Sequence, residues 1–280
     1  MLTESQVHDY RRDGHLLVEN VFDAEEIALL RREVEQLYAT DHPGRVFEKD
    51  GSTVRGIHGC HTTSALFGRL VQLPALLSAA EQLLESKVYV HQVKVNAKRA
   101  LRGDVWQWHQ DYIFWEQHDG VREPRFVNVA LLLDDATEHN GPLLVVPGSH
   151  RSGVIRTERR APVGAAVGAA SGEEGAQGGE SWAASLSAEL DFALSAEQLA
   201  PLVAESGIRS LTGPAGSLLY FDSCIVHGSG ANMSPEDRTM ALVTYNSVDN
   251  EPVWVANPRP EFLAGRDLTP LAALEGGLRG

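Results

Sequence analysis

The chain has 280 residues, 43% hydrophobic and 22% charged, the balance of an ordinary globular protein long enough to bury a substantial core. Its formal charge of -14 argues against nucleic acid as a partner, since phosphate binding needs clustered Lys and Arg. No apolar run approaches the ~20 residues of a membrane span, and Met1–Gln6 lacks the basic-then-apolar pattern of a secretory signal. Cys60 and Cys224, the only cysteines, suit a reducing cytoplasm rather than a disulfide framework.

Taken in chain order, residues 3–13 read as a short amphipathic helix with Thr3 as N-cap, Gln6 at the capping-box position and Gly14 as its stop. Leu16, Leu17 and Val18 suggest a short strand. A second helix, about Asp23 to Tyr38, places Ile27, Leu30, Val34 and Leu37 on one stripe, opposite a solvated charged face. From Asp41 to Leu66 the chain is polar and turn-rich; His58, His61 and Arg55 read as ordinary loop residues, in a loop expected to help shape the pocket. Residues 67–85 return to a helical pattern around Leu70, Leu73, Leu76, Leu77 and Leu83.

Val88–Lys98 is the clearest strand of the first half, with Tyr89, His91, Val93 and Val95 expected on one face and Gln92, Lys94 and Asn96 on the other. Those three polar residues fit either a solvent-facing sheet surface or a wet cavity inside a barrel. Phe126–Asp134 is almost apolar on both faces and therefore central. Asn140-Gly-Pro is a turn, Leu143–Val146 a strand, and Pro147–His150 a further turn. The Gly/Ala-rich stretch 161–181 cannot bury a core of its own and reads as a flexible insertion, either a lid or a surface excursion. Ser195 caps another helix that Gly207 ends, and the last third is strand-rich: Gly216–Asp222, Ile225–Gly228 and Arg238–Tyr245. Residues 230–237 have hairpin-loop composition, which would set Arg238 across from the His227 segment. The tail around Arg259 carries no signal of its own.

Many short strands joined by Gly/Pro turns, with helices gathered toward the N-terminus, describe a mainly β protein with flanking α-helices and a double-stranded β-helix, jelly-roll or cupin-like core. The expected organisation is one domain over 1–280, with N-terminal helices in 1–86 and the jelly roll in 87–250.

The chemistry centres on His109 and Asp111, one residue apart at the end of Trp106-Gln-Trp-His-Gln-Asp. In an extended chain such side chains share a face, and with a distant histidine they complete the two-histidine-one-carboxylate set that holds non-haem Fe(II). His227 in Cys224-Ile-Val-His-Gly-Ser supplies that histidine, and Arg238 follows eleven residues later. Three protein ligands leave three positions on iron, two for a 2-oxo acid and one for O2. The acid's remote carboxylate then needs a cation, for which arginine's planar fork is suited, while Ser229, on the face of His227, can add a donor. Lys94 is the other candidate for a local basic spot in so acidic a chain. Zinc also accepts His and carboxylate ligands, but it gives no reason for the arginine.

With these residues in place, the chain resembles the phytanoyl-CoA dioxygenase family of Fe(II)/2-oxoglutarate enzymes, within it the ectoine-hydroxylase-like branch. The resemblance rests on His91–Asn96, Trp108–Asp111, Trp115, Asn140–Leu143, Val146–His150, and His227–Ser229 with Arg238. It implies His109, Asp111 and His227 as iron ligands, Arg238, Ser229 and Asn96 as holders of 2-oxoglutarate with Trp106 packed beside it, and Gln92 and Trp115 as walls of the cavity. Where ectoine hydroxylases carry an acidic and polar run after the metal aspartate, this chain has Tyr112-Ile-Phe. The expected substrate is therefore another small polar molecule, an amino acid or natural-product intermediate. The expected reaction is hydroxylation of an unactivated C–H bond with release of succinate and CO2. Desaturation or cyclisation by the same oxidant stays open, as does a cupin-like metal-binding protein or zinc hydrolase without oxygenase activity.

Overall fold

Eleven strands pair antiparallel in two sheets in the computed structural model, which describes residues 1–48, 50–157 and 190–279. The seven-stranded sheet runs in the order β1 (His15–Val18), β9 (Leu218–Asp222), β6 (Phe126–Leu132), β11 (Arg238–Ser247), β4 (Val88–Lys98), β3 (Val54–His58) and β2 (Arg45–Phe47). The four-stranded sheet runs β5 (Trp106–His109), β10 (His227–Ser229), β7 (Leu143–Val145) and β8 (Arg209–Leu211). Strands β1, β2 and β3 come from the N-terminal segment, so the large sheet draws on both parts of the chain. The expected insertion at 161–181 lies outside the described residues. No described helix is long and apolar enough to cross a membrane.

Burial on both faces explains why β6 reads as continuously apolar. Its Val127, Val129 and Leu131 join Val93, Val95 and Val243 beneath a helical layer. That layer is supplied by α2 (Ala24–Ala39), α4 (Ala65–Leu70) and α5 (Leu77–Leu84), through Ile27, Leu30, Val34, Leu70 and Leu77. Ala130 and Leu132, with Leu219, Phe221, Met240 and Leu242, face the other way and meet Val145, Leu211 and Ile225 between the sheets. Each buried Leu, Ile or Val contributes roughly 1.5–3 kcal/mol relative to exposure. The helix caps follow the sequence: Thr3 with Gln6, Asp23 with Glu26 and Ser195 with Gln198 each close a capping box.

Three expectations are corrected. The 67–85 pattern is two helices, α4 and α5, because Pro74 lies between them and cannot continue a helical ladder. The alternation along β4 is broken: Thr244 of β11 opposes Gln92 whereas Tyr245 opposes Val90, leaving His91 as the extra residue of a β-bulge. Val88 and Val90 therefore join Val93 and Val95 in the helix-side core, while His91 packs on Trp115 and Phe126, with ring centroids 5.4 and 5.1 Å apart. Finally, 230–237 is not a hairpin. It passes from β10 in the small sheet to β11 in the large one, and Arg238 pairs with Lys98 of β4 instead.

Candidate metal centre and cosubstrate pocket

The strand register brings the two distant histidines together. β10 pairs antiparallel with β5 so that His227 lies opposite His109, with ring centroids 4.1 Å apart. Asp111 does not sit in extended chain as the spacing suggested. It has helical backbone, φ -68 and ψ -38, at the start of α6 (Tyr112–Asp119), so the pair converges at a strand-to-helix corner. Asp111 Oδ1 lies 3.6 Å from His109 Nε2 and Oδ2 lies 3.8 Å from His227 Nε2. The three side chains offer ligand atoms that all lie within 4.8 Å of one another.

The surroundings of these atoms fit a metal ion. His109 Nδ1 is 2.7 Å from the Gln107 carbonyl oxygen and His227 Nδ1 is 3.0 Å from that of Ile225. A carbonyl only accepts, so each Nδ1 donates its proton and each ring turns its Nε2 toward Asp111. Burial, with His109 beside it, pushes the His227 pKa down to about 4, which keeps that ring neutral. Burial by itself would raise the Asp111 carboxyl, but Lys94 and the two imidazoles hold it below the usual carboxylate range. Asn128 Nδ2 donates to Asp111 Oδ2 at 3.0 Å, and Thr244 Oγ1 donates to Asn128 Oδ1 at 2.6 Å. Asn128 and Thr244 are opposed in the β6–β11 pairing, so the sheet itself fixes the carboxylate's orientation.

One pocket between the sheets is lined by every residue the sequence pointed to: Gln92, Lys94, Asn96, Trp106, His109, Asp111, Trp115, His227, Ser229 and Arg238. The polar face of β4 therefore lines a cavity rather than bulk solvent. Arg238, 3% exposed, donates from one terminal nitrogen to the Gly141 carbonyl at 2.8 Å, while its buried Nε has no partner among the described residues. Burial lowers its pKa to about 10, with Asp134 opposing and Arg55 reinforcing, so it stays charged. The Asn140-Gly-Pro turn thereby supports the arginine, since Gly141, at φ +70, aims its carbonyl at the guanidinium. Trp106 is half-buried beneath Arg55, whose guanidinium carbon is 3.9 Å from the ring centre. In the other turn motif, Ser149 Oγ accepts from the Val226 amide at 2.8 Å, next to His227.

Three residues passed over in the sequence also serve this pocket. Asn128 stood alone in an apolar strand, and that isolation was its one available signal, because a buried amide must find partners. His58, read as a loop residue, belongs to β3 opposite Lys94 and lines the pocket with its buried Nδ1 unpartnered among the described residues. Burial, with Lys94 and Arg259 nearby, pushes its pKa well down, so it is neutral. Arg259 lies in the tail that carried no pattern, yet it is 6% exposed and lines the pocket. Its Nε donates to Asp119 Oδ1 at 2.7 Å, its terminal nitrogen to Oδ2, and Asp119 also meets His91 Nε2 at 3.1 Å.

Comparison with known proteins follows the same lines. A sequence profile described as phytanoyl-CoA dioxygenase (PhyH) matches residues 10–240. The chain is 40% identical over 267 residues to L-proline trans-4-hydroxylase of Streptomyces griseoviridis, covering 95% of this chain and 94% of that protein. It is 38% identical over 274 residues to ectoine dioxygenase of Bordetella bronchiseptica, covering 95% and 83% respectively. In three dimensions it matches EctD from S. alaskensis, crystallised with bound Fe and, separately, with 2-oxoglutarate and 5-hydroxyectoine. The latter structure gives a TM-score of 0.81 at 30% identity, covering 99% of this chain and 89% of that one.

Proposed function

Because this chain belongs to the phytanoyl-CoA dioxygenase family, we propose that His109, Asp111 and His227 hold its iron and that its substrate is a free amino acid of the proline kind. The enzyme is an Fe(II)/2-oxoglutarate-dependent dioxygenase that hydroxylates an unactivated C–H bond of a small polar molecule. The observation that carries the ligand assignment is the convergence of two imidazole Nε2 atoms and one carboxylate, each ring oriented by a hydrogen bond at Nδ1 and the carboxylate by Asn128.

When bound, iron and 2-oxoglutarate supply the oxidising power for hydroxylation, with release of succinate and CO2. The chain's own residues bind, orient and exclude water. Arg238 and Ser229 would hold the cosubstrate's remote carboxylate, with Asn96 and Trp106 lining the same pocket; an Arg–carboxylate pair in such a buried site is favoured by its two parallel hydrogen bonds. Phe114, Phe221, Leu143, Met240 and Leu242 complete an apolar wall that keeps water from the reacting centre. With Arg259 paired to Asp119, Lys94 supplies positive charge to a pocket that Gln92 and Trp115 also line, which suits a substrate carboxylate. Gln92 Nε2 donates to the Leu263 carbonyl at 2.7 Å, so its amide oxygen is left to accept from a substrate ammonium or imino group.

The proline reading rests on the higher identity to the proline hydroxylase over nearly both full lengths and on Tyr112-Ile-Phe after Asp111. The test is oxygen uptake and succinate formation with Fe(II) and 2-oxoglutarate. L-Proline or a close amino-acid analogue should stimulate both well above the substrate-free rate, with a hydroxylated product by mass. Stimulation by ectoine and not by any amino acid would overturn the substrate assignment. A protein that never consumes 2-oxoglutarate would overturn the ligand assignment with it.

A further inference from the structure

Behind Arg238 lies a second buried basic side chain that none of the chemistry so far has used. Lys98 ends β4, is 2% exposed, and is the register partner of Arg238 on β11. Residues opposed in an antiparallel pair project to the same face, where two like charges repel. Among the described residues no carboxylate lies within ion-pair distance of either. The Lys98 side-chain nitrogen donates, among the described residues, to main-chain carbonyls alone, those of Asp104 and of Gly230, the latter at 2.6 Å.

Those partners, and the path of the side chain, join three separate segments. The Asp104 carbonyl belongs to the loop that leads directly into Trp106. The Gly230 carbonyl immediately follows Ser229. The aliphatic stem runs against Gly141, where a Cβ would come within 2.7 Å of Lys98 Cδ, and Gly141 is the residue whose carbonyl receives Arg238. At the stem's other end a Cβ on Gly103 would meet Lys98 Cβ at 2.7 Å. The main-chain carbonyl of Lys98 accepts from Asn232 Nδ2 at 2.9 Å, tying down the crossover between the sheets as well. Trp106, Ser229 and the support of Arg238 are therefore all held by one side chain.

We propose that Lys98 is a positioning residue for the cosubstrate, setting Arg238, Ser229 and Trp106 for the remote carboxylate of a 2-oxo diacid and adding charge beneath it. This rests on the functional reading above. Wherever Lys98 is protonated it repels the guanidinium of its register partner Arg238, and a dianion relieves that repulsion. Burial, then Arg238 and Arg55, push the Lys98 pKa down to about 6, against the opposing charges of Glu48 and Asp104. Above neutrality the ligand-free amine is largely unprotonated, and a carboxylate arriving at Arg238 draws the proton back onto it. Cosubstrate binding is then coupled to proton uptake, and affinity falls as pH rises above about 6.

The experiment is anaerobic binding of 2-oxoglutarate, and of 2-oxopentanoate, which lacks the remote carboxylate, to the Fe(II)-loaded wild type and to Lys98→Met. The variant should bind 2-oxoglutarate about tenfold more weakly and 2-oxopentanoate nearly as the wild type does, since only the first contact is lost. Wild-type affinity for 2-oxoglutarate should fall between pH 6 and 8, and that slope should flatten in the variant. Equal losses for both acids, or unchanged affinity for 2-oxoglutarate, would overturn the proposal while leaving the enzyme's function standing. Wild-type protein that binds no 2-oxoglutarate with Fe(II) would overturn the functional reading and this inference together. The wild-type pH series needs no variant, so a misfolded Lys98→Met leaves the proposal testable: a flat series rejects it.

Discussion

Asp111 shows how much a single side chain depends on its neighbours here. Its carboxylate is buried, faces two imidazoles at 3.6 and 3.8 Å, and takes its orientation from Asn128. Asp111→Ala should abolish succinate formation while the far-ultraviolet circular dichroism stays that of the wild type; retained turnover would exclude this residue as a ligand. Asn128→Ala tests the layer behind it. Losing the amide should cost about 10–100-fold in Fe(II) affinity or activity, and it strands the Thr244 hydroxyl, at about 1–3 kcal/mol of stability. An iron titration and a urea melt on the same variant separate those two effects.

Among the elements, α6 carries the most consequence, because both of its ends bear on the pocket. Asp111 begins it, and Asp119 ends it in a buried pair with Arg259 that fastens the C-terminal segment over the pocket. Burial would raise the Asp119 carboxyl, but Arg259 and His91 hold it down to about 2. A depressed carboxylate stabilises the fold above its unfolded pKa of about 3.9, and that stability is lost as pH falls through 2. The pair should contribute about 2–3 kcal/mol near neutrality, visible as a drop in stability between pH 4 and 2. In Asp119→Asn that acid limb should be flatter, and the neutral-pH stability lower, by chemical denaturation. Equal acid limbs would place the source of acid sensitivity elsewhere.

At the scale of the whole molecule, the pocket draws on both sheets: His109 and His227 stand on the small one, while Lys94, Asn96 and Arg238 stand on the large one. Fe(II) and 2-oxoglutarate should therefore brace the sandwich across its middle. A ligand at a hundred times its dissociation constant adds about 2.7 kcal/mol, which for a domain of this size corresponds to a rise in Tm on the order of 5–10 °C. Thermal melts with both ligands, then with a chelator, should show the rise and its reversal. The same rise with 2-oxoglutarate alone, without metal, would contradict binding through iron.

The sequence by itself determined the ingredients: capped helices, a central strand apolar on both faces, and the unusual order His109, Asp111, His227, Arg238. These are local or periodic features, and residue type and spacing write them directly. Only the tertiary structure decided which faces they turn to. The bulge at His91 reverses the phase of β4, a change no alternation pattern records, because one extra residue looks like any other in the chain. The crossing of 230–237 between sheets, rather than back along one, is set by packing and not by loop composition. Lys98, His58 and Arg259 acquired their places through register and long-range contact alone, since a lone cation or imidazole has no periodicity to betray it.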